Sequence, residues 1–178
     1  MKKARRDLKP ATTAALAAVL AFAAGCSTGE QNREYAIPES LCGTAVDAND
    51  LESFLPAGRK ITVREKEYSG SKICEVVVDD TLIATASRIW LKEGTTTMNF
   101  AYGQTTHTPE SSAEEGRFRY SENEAFGRTR NCLDPRGKQV LYTAIQAQGS
   151  KHRDAEAMKR LIISFTAVVE KSTECTTG

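Results

Sequence analysis

The sequence predicts a small α+β domain: an antiparallel β-sheet built from hairpins, packed against a short N-terminal helix and a long C-terminal helix. Three observations predict it. Runs rich in β-branched and aromatic residues between Ile61 and Gln148 are separated by turns carrying Asp or Gly. One apolar stripe at helical spacing closes the chain. Four cysteines, Cys42, Cys74, Cys132 and Cys175, are spread across the same region as an even set.

Taken in order, the stretch from Ser40 to Leu55 holds Cys42 and then Asp47, a helix N-cap ahead of Leu51, Phe54 and Leu55. Pro56-Ala57-Gly58 stops that helix. Ile61 and Val63 alternate with polar residues, Ser69-Gly70-Ser71 makes a turn, and Ile73 to Val78 is a strand. Asp79-Asp80 turns the chain into a second β-rich run, Thr81 to Leu91. Met98, Phe100 and Tyr102 alternate with Thr97, Asn99 and Ala101, which predicts a further strand. The polar segment from Gln104 to Gly127 reads as a long loop, with a short capped helix opening at Thr108-Pro109 and running through Glu110 to Glu115. Asn131-Cys132-Leu133 then enters Asp134-Pro135-Arg136-Gly137, a type I turn, and leaves along a strand from Gln139 to Gln148. From Asp154 to Lys171, Met158, Leu161, Ile162, Phe165, Val168 and Val169 recur at three- and four-residue steps and form the stripe of the final helix.

The start of the chain is a different kind of segment. Basic residues up to Lys9 lead into a small and apolar run, Ala11 to Ala24, that ends at Gly25-Cys26, the layout of a secretory signal peptide. The run is shorter than the roughly 20 residues a permanent spanning helix needs. Removing residues 1–25 removes five basic residues and one acidic residue from totals of 24 and 23, leaving 19 and 22 and a net charge of −3. Nucleic-acid binding depends on a clustered basic surface, so DNA and RNA are not expected partners. Residues 26–37 are polar and without a clear period and read as a tether, and 38–178 as a single domain. Eleven residues after Cys26 reach at most roughly 35–40 Å.

Ala23-Ala24-Gly25-Cys26 resembles the lipobox of bacterial lipoproteins, with Ala23 where that family prefers Leu. The resemblance implies diacylglycerol on Cys26, which becomes the first residue after cleavage. Two acyl chains bury enough methylene groups for stable anchoring, where one gives only reversible binding. Arg5-Arg6-Asp7-Leu8-Lys9 resembles in part a twin-arginine export signal, general secretion being the other route.

An even number of cysteines in an exported chain predicts two disulfides, with three connectivities open. The Cys74 and Cys132 regions share a plan, a cysteine strand entering an Asp-containing turn and leaving along a strand with Thr-Ala. If the hairpins are analogous, each staples to the helix of its own half, which favours Cys42–Cys74 and Cys132–Cys175. The spacing is no metal signature: there is no CxxC, and His107 and His152 sit near no cysteine cluster.

The candidate sites are few. Phe118, Tyr120 and Phe126, in the long polar segment, are candidate anchors for a partner, and Trp90 is a candidate stacking surface, with core packing the competing account of Trp90. Arg117, Arg119, Arg128, Arg130 and Arg136 interleave with those aromatics, and Glu114, Glu115, Glu122 and Glu124 offset their charge. They read as a solvated strand face or a contact for anionic lipid or wall polymer. Ser69-Gly70-Ser71-Lys72, Ser121-Glu122-Asn123 and Lys92-Glu93-Gly94 resemble the three boxes of penicillin-recognising serine enzymes, but in the wrong order and in too short a chain.

Over most of its length the chain resembles small uncharacterised exported lipoproteins of actinobacteria. The residues that carry this are the signal ending in Gly25-Cys26, Leu41-Cys42-Gly43, Leu55-Pro56-Ala57-Gly58, the Cys74 strand and Cys175. It implies a disulfide-stapled domain at the extracytoplasmic face of the cell membrane, with no cofactor. The expected role is non-catalytic binding of another envelope component, a protein or wall material. The alternatives are a carrier holding a lipid or small apolar ligand beneath Met158 and Phe165, and an envelope hydrolase.

Overall fold

The computed structural model describes residues 33–68, 70–105, 109–134 and 136–176. The signal segment, Cys26, the first residues of the tether, Ser69, His107, Thr108 and Pro135 lie outside the described residues.

The described residues begin at Arg33, five residues before the expected boundary, and are already tied to the domain there. Arg33 forms a parallel bridge with Gly58, and the Glu34 N–H donates to the Gly58 carbonyl at 2.8 Å. The Arg33 guanidinium donates to the Leu55 carbonyl at 2.8 Å and pairs with Glu52. The Tyr35 hydroxyl donates to the Pro56 carbonyl, and Tyr35 and Ile37 pack against the core. Two short strands, β1 (Ser40–Leu41) and β2 (Thr44–Ala45), pair around Cys42 and Gly43, both at positive φ. Helix α1 (Ala48–Glu52) follows, with Asp47 as N-cap accepting the Asn49 N–H at 2.8 Å.

Seven strands form one antiparallel sheet: β3 (Ile61–Tyr68), β4 (Ser71–Val78), β5 (Thr81–Lys92), β6 (Ser111–Ala113), β7 (Phe118–Tyr120), β8 (Glu124–Asp134) and β9 (Gln139–Gln146). Their spatial order is β3-β4-β5-β9-β8-β7-β6. Asp79 and Asp80 alone join β4 to β5, at φ 44° and 66°. Positive φ at both central residues gives the type I′ twist that matches a hairpin, and Asp tolerates it. The Asp79 carboxylate also accepts the backbone N–H groups of Arg59 and Lys60, at 3.0 and 2.9 Å.

Strand registers define two ends of the sheet. Ile61 opposite Val78, Thr85 opposite Gln146 and Glu124 opposite Gln146 mark the end where the chain enters at Gly58. Tyr68 opposite Ser71 and Gln139 opposite both Lys92 and Asp134 mark the far end.

The final helix, α3 (Ala155–Val169), has Asp154 as N-cap and buries Met158, Leu161, Ile162, Phe165 and Val169. It lies on one face of the sheet with α1, which Arg160 joins to it through Asp50 at 2.8 Å. Val76, Val78, Ile83, Leu141 and Ile145 supply the sheet side of this main core. Its close approach over β8 depends on Gly127: a Cβ there would meet Phe118, Thr143 and Thr166, each at 2.8 Å. The buried Thr143 and Thr166 hydroxyls bond each other at 2.7 Å.

The segment expected as a strand at 97–102 is a helix, α2 (Thr97–Gln104), on the opposite face. Thr96 caps it, its hydroxyl accepting the Asn99 N–H at 3.1 Å. Thr97, Phe100 and Ala101 form the buried side at i, i+3 and i+4, whereas Tyr102 is exposed. Phe100 meets Phe126 and Tyr142 edge-on, with ring centroids 5.4 and 5.3 Å apart. The cap and this i+3, i+4 face override the period-2 reading of the same residues.

Disulfides join Cys42 to Cys74 and Cys132 to Cys175, the pairing favoured by the hairpin analogy. The second ties β8 to a last short helix, α4 (Thr173–Thr176), whose Glu174 pairs with Arg88 at 3.2 Å.

Candidate functional site

Two clefts open at opposite ends of the sheet. The first, a cavity of about 960 Å³ at the entry end, lies between the end of α2, the β7–β8 turn and the start of α3. Glu110, Glu122 and Glu124 line it, together with Tyr120, Asn123 and Gln148. No Lys or Arg is among its described lining residues. Glu124 is buried, with 5% of its surface exposed. The Thr105 hydroxyl donates to one of its carboxylate oxygens at 2.7 Å and the Gln146 amide to the other at 3.4 Å. These two bonds replace part of the lost hydration of the carboxylate. Chemically the cavity is a polar space with hydrogen-bond acceptors at its base.

The second cleft, of about 490 Å³, lies at the far end between the start of α2 and the β6–β7–β8 side of the sheet. Thr95 to Thr97, Glu114, Arg117 and Arg130 are among its walls. Glu114 and Glu115 lie in the left-handed region, at φ 47° and 56°, followed by Gly116 at 86°. A non-glycine residue there costs roughly 1–2 kcal/mol. Ion pairs offset this: Glu114 accepts from Arg117 at 2.6 Å and from Arg130 at 3.0 Å, and Arg117 also reaches Glu170 on the helical face at 2.6 Å. The Arg117 guanidinium further stacks 4.6 Å over the Phe118 ring. Of the interleaved arginines of the sequence, Arg117 and Arg130 are thus paired with Glu114, and Arg117 also with Glu170.

The expected loop from 104 to 127 is an extension of the sheet. It contains β6, a single 3₁₀ turn at Glu114–Gly116, β7 and the start of β8, and Ser111–Ala113 is a strand where a helical turn was expected. Phe118 and Phe126 are fully buried at 0%, and Tyr120 at 8%. The expectation that these three rings anchor a partner is corrected for Phe118 and Phe126, which fill the two faces of the sheet. Tyr120 alone reaches a cleft, the acidic one. Trp90 is half-buried against the main core.

The remaining motifs are dispersed. His152 is exposed just ahead of the α3 cap. Lys72 begins β4 at the far end, while Ser121 turns β7 into β8 at the entry end, so the serine-enzyme boxes do not converge. No group of three His, Cys, Asp or Glu side chains placed to hold a metal occurs among the described residues. Among the same residues no helix is long and apolar enough to cross a membrane. Met158 and Phe165 are fully buried, and neither lines either of the two clefts.

Sequence reasoning missed Glu124. The signal was a carboxylate leading directly into the uncharged run Ala125-Phe126-Gly127. No protein-family model, curated protein or solved structure matches the chain.

Proposed function

We propose that this protein is exported, acylated at Cys26 and held at the extracytoplasmic face of the cell membrane, where its domain binds another envelope component without catalysing a reaction. The observation that carries the reading is the Ala23-Ala24-Gly25-Cys26 sequence placed directly ahead of a domain stapled by two disulfides. Disulfides persist in oxidising compartments, so the staples support an address outside the cytoplasm. The far-end cleft supports the binding role. It offers threonine hydroxyls and the exposed guanidinium groups of Arg128 and Arg130 beside a framework fixed by the ion pairs of Arg117, and arginine is a residue of choice for recognising carboxylates and phosphates.

Native mass spectrometry of the protein extracted with detergent from its own membranes tests the proposal. The expected species has a diacylated Cys26 as its first residue and lacks four hydrogens for two disulfides. A co-purifying protein or wall fragment supports the binding module, and a stoichiometric lipid turns the reading to a carrier. An unmodified, soluble chain overturns the anchoring.

A further inference from the structure

Seven residue steps separate Cys26 from Arg33, the first described residue and one already fixed to the domain. Fully extended, they span at most about 25 Å. Arg33 is not free to move within the domain. Its backbone bridges Gly58, its guanidinium is fixed on Leu55 and Glu52, and Tyr35 is bound to Pro56. The chain is therefore attached at one corner of the sheet, beside edge strand β3 at its Ile61 end and the Asp79–Asp80 turn.

The diagonally opposite corner holds the Thr95–Thr97, Glu114–Arg117 and Arg130 cleft, at the far end and on the β6–β7 side. Six strand spacings across and about seven residues along place that corner roughly 35 Å from the entry corner. The tether is shorter than this diagonal.

Resting on the anchoring proposed above, we infer that the corner formed by Arg33, Pro56 to Lys60 and the Asp79–Asp80 turn is the membrane-facing surface of the domain. The Arg–Glu–Thr cleft is then presented outward. Arg59 and Lys60 are exposed at the entry corner, while Asp79 is engaged on their backbone N–H groups and Glu52 on Arg33. Glu34 and Asp80 are also exposed there, so tether length rather than net charge sets the orientation.

Energy transfer from a single tryptophan to dansyl-labelled lipid reads this directly, using the acylated full chain in vesicles. In a Trp90→Phe background, Lys60→Trp places the donor at the entry corner and Arg136→Trp places it in the β8–β9 turn at the far end; both positions are exposed. Transfer from position 60 is expected to exceed that from position 136 roughly twofold or more, given the span of the sheet. A flexible insert of about ten residues between Asn32 and Arg33 is expected to erase the difference. Equal transfer from both positions in a chain of confirmed diacyl mass, or a difference that survives the insert, overturns the orientation alone. A chain without acyl mass that gives no transfer overturns the anchoring and the orientation together.

Discussion

The two faces of the sheet are covered by different means. On one, α3 lays five fully buried apolar side chains across the strands, and α1, the β1–β2 hairpin and both disulfides close around them. On the other, the two-turn helix α2 covers Phe126, Val140, Tyr142 and Ala144 with little more than Phe100 and Ala101. The β3 and β4 part of that second face carries Arg64, Lys66 and Glu75, held to one another by charge. A large apolar stripe builds a core whose buried Thr143 and Thr166 hydroxyls satisfy one another, whereas a small one leaves room on the same sheet for salt bridges. The difference teaches where stability resides and where the surface is free to change.

The sharpest test substitutes one phenylalanine on each side. Phe165→Ala is expected to cost about 3–5 kcal/mol and Phe100→Ala about 3 kcal/mol, at the lower end of such truncations because its cluster is smaller. Urea denaturation of both variants measures the gap, and equal losses would make the second face a core in its own right. The staples come next. Replacing Cys132 and Cys175 together with Ala opens a 43-residue loop and should cost about 4 kcal/mol on the chain-entropy estimate. The equivalent Cys42 and Cys74 pair opens 32 residues and should cost slightly less, with thermal unfolding as the measurement.

Smaller effects separate the two helices. Removing either N-cap, Asp154→Ala or Thr96→Ala, should cost about 1 kcal/mol. In hydrogen exchange the first should leave α3 protected, because its packed stripe holds it in place. The second should let the amides of 97–104 exchange faster, since α2 has little else to keep it folded.

The smallest effect is a pH dependence on the open part of the second face. Hydrogen bonds from Lys66 and then Arg64 hold the Glu75 carboxyl below its usual value. A depressed pKa stabilises the fold above the ordinary glutamate range of about 4.3, and the contribution is lost as pH falls below it. Glu75→Gln should therefore lower the melting temperature slightly at neutral pH, and by progressively less as the pH is taken down through the acid range.

The same contrast explains what the sequence revealed. The α3 stripe is long and one-sided, so its period was plain, and Asp79-Asp80 and Asp47 carried local turn and cap chemistry that tertiary context left intact. Residues 97–102 fit either period because α2 is short and flanked by alternating side chains, and only the Thr96 cap distinguished it. Strands β6 and β7 have three residues each, too few for an alternation to register. Phe118 looked like a surface anchor because Arg117 and Arg119 flank it, and Phe126 because it lay in a segment read as a polar loop. Both instead belong to an extension of the sheet that was not legible. The clefts were invisible for a related reason, since each draws its walls from segments far apart in the chain.

Strand β3 leaves a row of unpaired backbone groups at the edge of the sheet. Two copies meeting edge to edge would be related by a two-fold axis normal to the sheet, which sets one residue opposite its own counterpart. Centred on Arg64, Glu65, Lys66 or Glu67, that arrangement brings identical charges face to face, and like charges directly opposite are unfavourable. Centring on Glu65 also opposes Arg64 to Lys66, and centring on Lys66 opposes Glu65 to Glu67. An open strand is the natural seed of a fibre. The charge order along β3 keeps identical copies of the domain from zipping together.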